Sequence, residues 1–308
     1  MKALVYKSTG SWYQIKNEAG EFMSARIKGK FKIDGITSTN PIAVGDWVDV
    51  VHQNVAEDSI VIHNIYSRKN YITRQSPHNK HLHHIIAANL DQSVLLVTLK
   101  SPKTSTGFID RFLVASEAYH VPAIIVFNKS DIYGLKEKEK FEKVKLVYEK
   151  IGYRVLSMSI NDQVGVDEVY ELLKDKTTLL SGHSGVGKSS FINTIFPNLL
   201  LKTQDVSGWS GKGLHTTTFA EMHDLPFGGR IIDTPGIREF ALMDIEVHEL
   251  SHYFPEMKNL INDCKFNNCM HIEEPGCAVK LAVEEGKIAA DRYINYLNIL
   301  ESMETKKW

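Results

Sequence analysis

The sequence predicts an α/β protein in which a mainly parallel-sheet domain lies between a small leading β-barrel and a short helical tail. Three observations carry this. Five short alternating or β-branched runs occupy the first 65 of 308 residues. From about residue 90, apolar runs alternate with helically spaced segments. After about residue 245 strand signals stop, and all three cysteines of the chain fall there, within 14 residues of one another.

The leading runs are 3–6, 12–16, 22–27, 46–51 and 60–65, punctuated by Gly10, Gly20, Asn40-Pro41 and Gly45. Five such strands fit an OB-like closed barrel, and an SH3-like barrel fits the pattern equally well. Runs 93–98 and 123–127 are continuously apolar, as buried parallel strands are, and 109–120 between them has helical spacing. A charged amphipathic helix is expected over 136–151 and strands over 154–159, 177–180 and 230–232. The tail reads as helices over 247–253, 255–262, 279–285 and 287–304. The expected division is an OB-like barrel over 1–70, an α/β domain over 71–245 and a helical domain carrying the cysteines over 246–308.

Composition is that of an ordinary globular chain, 43% hydrophobic and 24% charged. No apolar run approaches the ~20 residues of a membrane helix. The first residues hold too short an apolar stretch for a secretory signal, so a cytoplasmic location is expected. A net charge of −1 argues against a general polyanion binder, but the charge is uneven. Residues 1–85 carry 11 Lys/Arg against 7 Asp/Glu, and residues 246–308 carry 7 against 11. Between Asp58 and Asp91 there is no acid, while Arg68, Lys69, Arg74, Lys80 and five histidines fall there, with Tyr66 and Tyr71 placed to stack on bases.

Gly182, His183, Ser184, Gly185, Val186, Gly187, Lys188 and Ser189, followed by Ser190, match the phosphate loop G-x-x-x-x-G-K-[ST]. A strand leads in and a helical run leads out. Glycines let backbone N–H groups turn toward phosphates, Lys188 would bridge the β- and γ-phosphates, and Ser189 would ligate Mg²⁺. The base is chosen elsewhere. Asn128, Lys129, Ser130 and Asp131 read as N-K-x-D at the end of the 123–127 strand. An aspartate accepts from both N1–H and N2–H of guanine, a pair that adenine lacks. The Lys129 stem would lie along the base, and Asn128 would tie this loop to the phosphate loop. Ser159 and Ile160, after the next strand, fit a loop on the other side of the base.

Asp233-Thr-Pro-Gly236 supplies D-x-x-G: Asp233 would hold Mg²⁺ and the Gly236 N–H would sense the γ-phosphate. Thr217, with Thr216 as the alternative, is expected to complete the magnesium shell. A hydrolytic water needs a positioning group, and Ile237, where many GTPases have glutamine, can neither donate nor accept. His215 is the local candidate. Slow intrinsic turnover and activation by a partner follow. Base recognition precedes the phosphate loop, which precedes D-x-x-G, so the order is circularly permuted; joined termini make this tolerable.

Cys264-x4-Cys269-x-His271-x5-Cys277 offers three thiolates and an imidazole, a full tetrahedral shell for one structural Zn²⁺.

With these elements together, the chain resembles the RsgA (YjeQ/YloQ) family of circularly permuted GTPases over nearly its whole length. The resemblance includes Val44-Gly45-Asp46, the permuted motif order, residues 213–218 and the cysteine cluster; the family usually has S-A where Ser159-Ile160 stands. It implies a GTPase that binds GTP and GDP with Mg²⁺, carries zinc, and assists late maturation of the small (30S) ribosomal subunit through its 16S rRNA. It also points to His215 as the catalytic histidine. A monomer that does not engage membranes is expected.

Overall fold

The computed structural model describes residues 1–27, 41–54, 59–75, 83–196, 220–233, 242 and 245–304. Strands β1 (Lys2–Ser8), β2 (Tyr13–Asn17), β3 (Phe22–Ile27), β4 (Trp47–Asn54) and β5 (Ser59–Ile65) form the leading barrel. Their order is β1-β2-β3-β5-β4, and β4 returns to β1 through pairs such as Ala3↔Val48. The β3–β5 pair is parallel and the rest are antiparallel. That closure decides for the OB-like arrangement that the strand pattern left open. Alternation along each strand turns Ala3, Val5, Tyr13, Ile15, Val48, Val50, Ile60 and Ile62 into the barrel core.

A hairpin that strand reading missed, β6 (Tyr71–Gln75) and β7 (His83–Ala88), follows the barrel. It meets the barrel at Val44-Gly45-Asp46. Gly45 has φ +92°, and a Cβ there would lie 2.1 Å from the Ala88 carbonyl oxygen, so only glycine lets the two backbones approach. Asp46 is fully buried and accepts two 2.7 Å bonds from the Arg68 guanidinium. Arg68 is therefore committed to the fold and does not belong to an RNA-facing basic surface. Tyr71 likewise packs on Tyr119, ring centroids 5.2 Å apart, while Tyr66 stays exposed.

The central domain contains β8 (Gln92–Val97), α1 (Thr106–Ala118), β9 (Ala123–Phe127), α2 (Leu135–Ile151) and β10 (Arg154–Ser157). Next come α3 (Val166–Leu173), β11 (Thr177–Ser181), α4 (Lys188–Ile195), β12 (Glu221–Asp224) and β13 (Arg230–Asp233). The strand order is β10-β9-β8-β11-β13-β12, parallel except for β12. Period-two alternation sends Leu95, Val97, Ile125, Phe127, Leu179 and Ile232 to one core. Val94, Leu96, Ile124, Val126, Leu180 and Ile231 go to the other. Both faces are thus apolar and covered, as the continuous apolar runs predicted. Beyond β12 the sheet passes into the barrel at Lys7↔Glu221. Asp224 collects the Tyr6 hydroxyl and the Lys16 ammonium, each at 2.6 Å.

The tail comprises a 3-10 helix Val247–Tyr253, α5 (Pro255–Lys258), a 3-10 turn Ile261–Asp263, α6 (Ala278–Glu284) and α7 (Ala290–Glu304). The first expected helix keeps its bounds but is wound as a 3-10 helix, and the second is cut to Pro255–Lys258 with a separate 3-10 turn after it. Phe254, before Pro255, is extended (φ −110°, ψ 99°), as a residue preceding proline tends to be, and this breaks the run. Phe254, Met257, Tyr296, Ile299 and Leu300 share one core with Phe112, Leu113 and the sheet. The joint is also polar. Arg292 donates to Asp110 at 2.6 Å and to both oxygens of Glu256 at 2.7 and 3.0 Å. Tyr148 and Asn295 each donate to Asp110 at 2.6 Å.

Candidate nucleotide site and metal centre

The phosphate loop leaves β11 at Ser181 and enters α4 at Lys188. Gly182, Gly185 and Gly187 all have positive φ. At Gly187 (φ +100°) a Cβ would stand 2.4 Å from the Asn128 amide nitrogen. That nitrogen donates to the Val186 carbonyl at 2.9 Å, so the N-K-x-D loop is seated on the phosphate loop as its motif predicted. The Lys188 ammonium donates to the carbonyls of Gly182 (2.6 Å) and His183 (3.0 Å), inside the curve of the loop. Burial lowers its pKa, opposed by the charge of Asp233 at the end of β13. Lys188 and Asp233, which sequence alone places 45 positions apart, therefore share one electrostatic site. Ser189 and Ser190 occupy the first turn of α4, where helix N–H groups are free for anions.

At the base side, Lys129 sits in the left-handed region (φ 62°), and its ammonium donates to Ser101 (2.6 Å) and Gly185 (2.7 Å) carbonyls. Ser130 N–H bonds Met158 O at 3.1 Å. Asp131 accepts from Ser159 Oγ (2.9 Å) and Asn161 Nδ2 (3.1 Å). Its slight burial would raise the carboxyl, but these two bonds outweigh that and hold it below the ordinary carboxylate range. Each oxygen keeps a lone pair for guanine's N–H groups. Ser159 thus orients the Asp131 carboxylate, and the Ile160 side chain lies beside Gly187.

Ser184 and Val186 fall within the same loop, and Val186 is buried. His183 has a side-chain environment the motif does not hint at: its ring stacks on Phe108 of α1, centroids 3.6 Å apart. Burial, then the Lys188 charge, lowers its pKa and so favours the neutral ring. Sequence reasoning also missed Ser101 and Tyr133. The Tyr133 hydroxyl donates to Asn128 O at 2.8 Å and accepts from Leu99 N–H at 3.1 Å, bracing the base loop. These pairings carry no local sequence signature. His215, Thr216, Thr217, Gly236 and Ile237 lie outside the described residues.

The second site gathers Cys264, Cys269, His271 and Cys277, whose donor atoms all lie within 4.8 Å of one another. His271 Nδ1 is 3.6 Å from Cys264 Sγ and 3.4 Å from Cys277 Sγ. A tetrahedral zinc with Zn–S of ~2.3 Å and Zn–N of ~2.0 Å requires an N···S separation of ~3.6 Å, so the set fits that ion. Burial, then Cys277 alongside, pushes the Cys269 thiol up to about 12, and a bound cation would reverse this. Cys277 caps α6, accepting from Lys280 N–H at 3.4 Å. The ligand loop is held from α7: Tyr293 donates to His271 O at 2.5 Å and Tyr296 to Met270 O at 2.8 Å.

A parallel sheet with a phosphate loop at its centre, and an N-K-x-D loop reached earlier in the chain, defines a circularly permuted GTPase, an enzyme that hydrolyses GTP. Comparison with known proteins gives the family. The sequence profile described as RsgA GTPase matches residues 65–243, and that of the RsgA N-terminal domain matches residues 2–60. Proteins named small ribosomal subunit biogenesis GTPase RsgA are similar throughout. One from Flavobacterium psychrophilum is 51% identical over 98% of this chain and 93% of its own. One from Cytophaga hutchinsonii is 52% identical, with 100% of both chains covered. Among solved structures, YjeQ from Thermotoga maritima superposes with a TM-score of 0.77 at 35% identity, covering 98% of this chain and 97% of the other. YloQ, titled a circularly permuted GTPase, gives 0.74 at 30% identity, covering 99% and 95%. The chain belongs to the RsgA family.

Proposed function

We propose that this GTPase serves the small ribosomal subunit, binding it and its 16S rRNA in the GTP state, assisting late maturation, and hydrolysing GTP faster when docked. The observation that carries the reading is the Asn128–Val186 bond, which ties the N-K-x-D loop to the phosphate loop and so supports one pocket for base and phosphates. The relatives' shared name supplies the subunit as partner.

In this reading Asp131 selects guanine, Lys129 and Ile160 line the base, and the loop from Gly182 to Ser190 wraps the phosphates. Ser189, Asp233 and Thr217 would hold Mg²⁺, which screens the phosphate charge. Gly236 would report the γ-phosphate. His215 would position the water, since Ile237 can neither donate nor accept. The four-donor cluster would hold one structural zinc, with no open position for chemistry. The protein acts as a monomer in the cytoplasm; among the described residues no helix is long and apolar enough to cross a membrane. Exposed Tyr66, with the Lys2 ammonium 5.0 Å from its ring, offers a barrel surface for RNA bases and phosphates.

The test is co-sedimentation with purified small subunits at one fixed salt concentration, comparing a non-hydrolysable GTP analogue with GDP. Tighter binding with the analogue supports the reading. Equal binding in both states would remove the switch.

A further inference from the structure

The tail carries a groove of about 650 Å³ between the Asp263 turn, the loop before Cys277, and α6. Leu260, Pro275 and Leu281 supply its apolar lining, and Leu281 is 54% exposed. Around them stand five carboxylates. Two are already committed. Glu274 accepts from the N–H groups of Met270, Ile272 and Glu273, and Glu285 pairs with Lys287 at 2.6 Å. Asp263, Glu273 and Glu284 are exposed and have no cationic partner among the described residues, against a single uncommitted lysine of the lining, Lys280.

An apolar strip rimmed by unpaired carboxylates repels phosphate and attracts a cationic amphipathic surface. The groove also lies at the acidic end of a chain whose basic excess is at the other end. We propose that it docks a lysine- and arginine-rich amphipathic segment of a small-subunit protein, an apolar side chain seated on Leu260 and Leu281 and cations on Asp263, Glu273 and Glu284. This rests on the small subunit being the partner. The barrel and the tail then read different chemistries of one particle, RNA and protein.

The two classes of contact give opposite signs under charge reversal. In Glu273→Lys/Glu284→Lys, affinity for small subunits should fall about tenfold at low salt if the groove holds a basic segment. It should rise if the groove faces RNA phosphate, and a rise or no change would overturn the proposal. Zinc content and unstimulated GTP hydrolysis equal to wild type would establish that the variant is folded. Leu281→Ser should weaken binding without altering charge. Wild-type protein failing to bind subunits at all would refute the functional reading instead. In that case a synthetic Lys/Leu amphipathic peptide, titrated by fluorescence anisotropy, decides the groove: wild type should bind it and the charge-reversed protein should not, and equal binding would overturn the proposal.

Discussion

Replacing Arg292 by methionine removes the cation shared by Asp110 and Glu256 and leaves a side chain of comparable length. Glu256 is 11% exposed at its side chain and can turn toward water; Asp110, at 0%, cannot. Burial already pushes the Asp110 carboxyl up even with Arg292, Tyr148 and Asn295 all donating to it. Without the guanidinium, the cheapest escape is to take a proton. Starting from an unfolded pKa of ~3.9, protonation at pH 7 costs at most about 4 kcal/mol at 1.36 kcal/mol per unit, less the part that the raised wild-type carboxyl already carries. This falls within the ~3–5 kcal/mol expected for breaking a buried pair. The same arithmetic gives about 1.5 kcal/mol at pH 5. The sign follows from linkage: a carboxyl whose folded pKa is raised stabilises the fold below its unfolded value and loses that contribution as pH rises. Urea denaturation of wild type and Arg292→Met at pH 5 and pH 7 should therefore show a penalty that grows with pH. A penalty equal at both values, or below about 1 kcal/mol at pH 7, would refute the claim that Asp110 is sealed from water.

Asp131→Asn should weaken GTP binding roughly a hundredfold or more, since two charge-assisted bonds of ~1.5–3 kcal/mol are lost, and should admit xanthosine triphosphate; isothermal titration with both nucleotides measures this. Gly187→Ala forces a Cβ onto the Asn128 amide at positive φ and should cost roughly 2–3 kcal/mol of nucleotide affinity, while circular dichroism stays that of wild type. Purified protein should hold about one zinc per chain and Cys269→Ser none, by metal analysis; α7 should stay docked after metal loss through its shared core, which hydrogen exchange reads.

What could be read from the sequence was whatever is written in contiguous residues. Asn128-Lys-Ser-Asp131 and the Gly182–Ser189 loop are local, because backbone turns and base edges demand fixed spacing. The apolar runs of β8 and β9 announced strands buried on both faces. The cysteine cluster announced a four-donor set, and the structure brings the four donor atoms within 4.8 Å of one another. Pairings across long separations left no mark. Arg292 and Asp110 are 182 residues apart, so the tail's dependence on α1 was invisible. Arg68 looked like one more cation of an acid-free stretch until its partner, buried Asp46, appeared 22 residues away. Strand β12, Glu-Met-His-Asp, is too short and polar to signal itself; it is held by its hairpin with β13 and by Tyr6, Lys7 and Lys16 of the barrel.

The most direct test of the account is GTP turnover by the purified protein with and without purified small ribosomal subunits. On the proposed reading Asp131 selects guanine, the 182–190 loop holds the phosphates and Asp233 holds Mg²⁺, while the sequence has isoleucine, Ile237, where a water-positioning glutamine would follow D-x-x-G. The account predicts slow hydrolysis alone and a saturable rise of about tenfold or more, equivalent to at least ~1.4 kcal/mol of barrier, when subunits are added. A rate that subunits leave unchanged would contradict it.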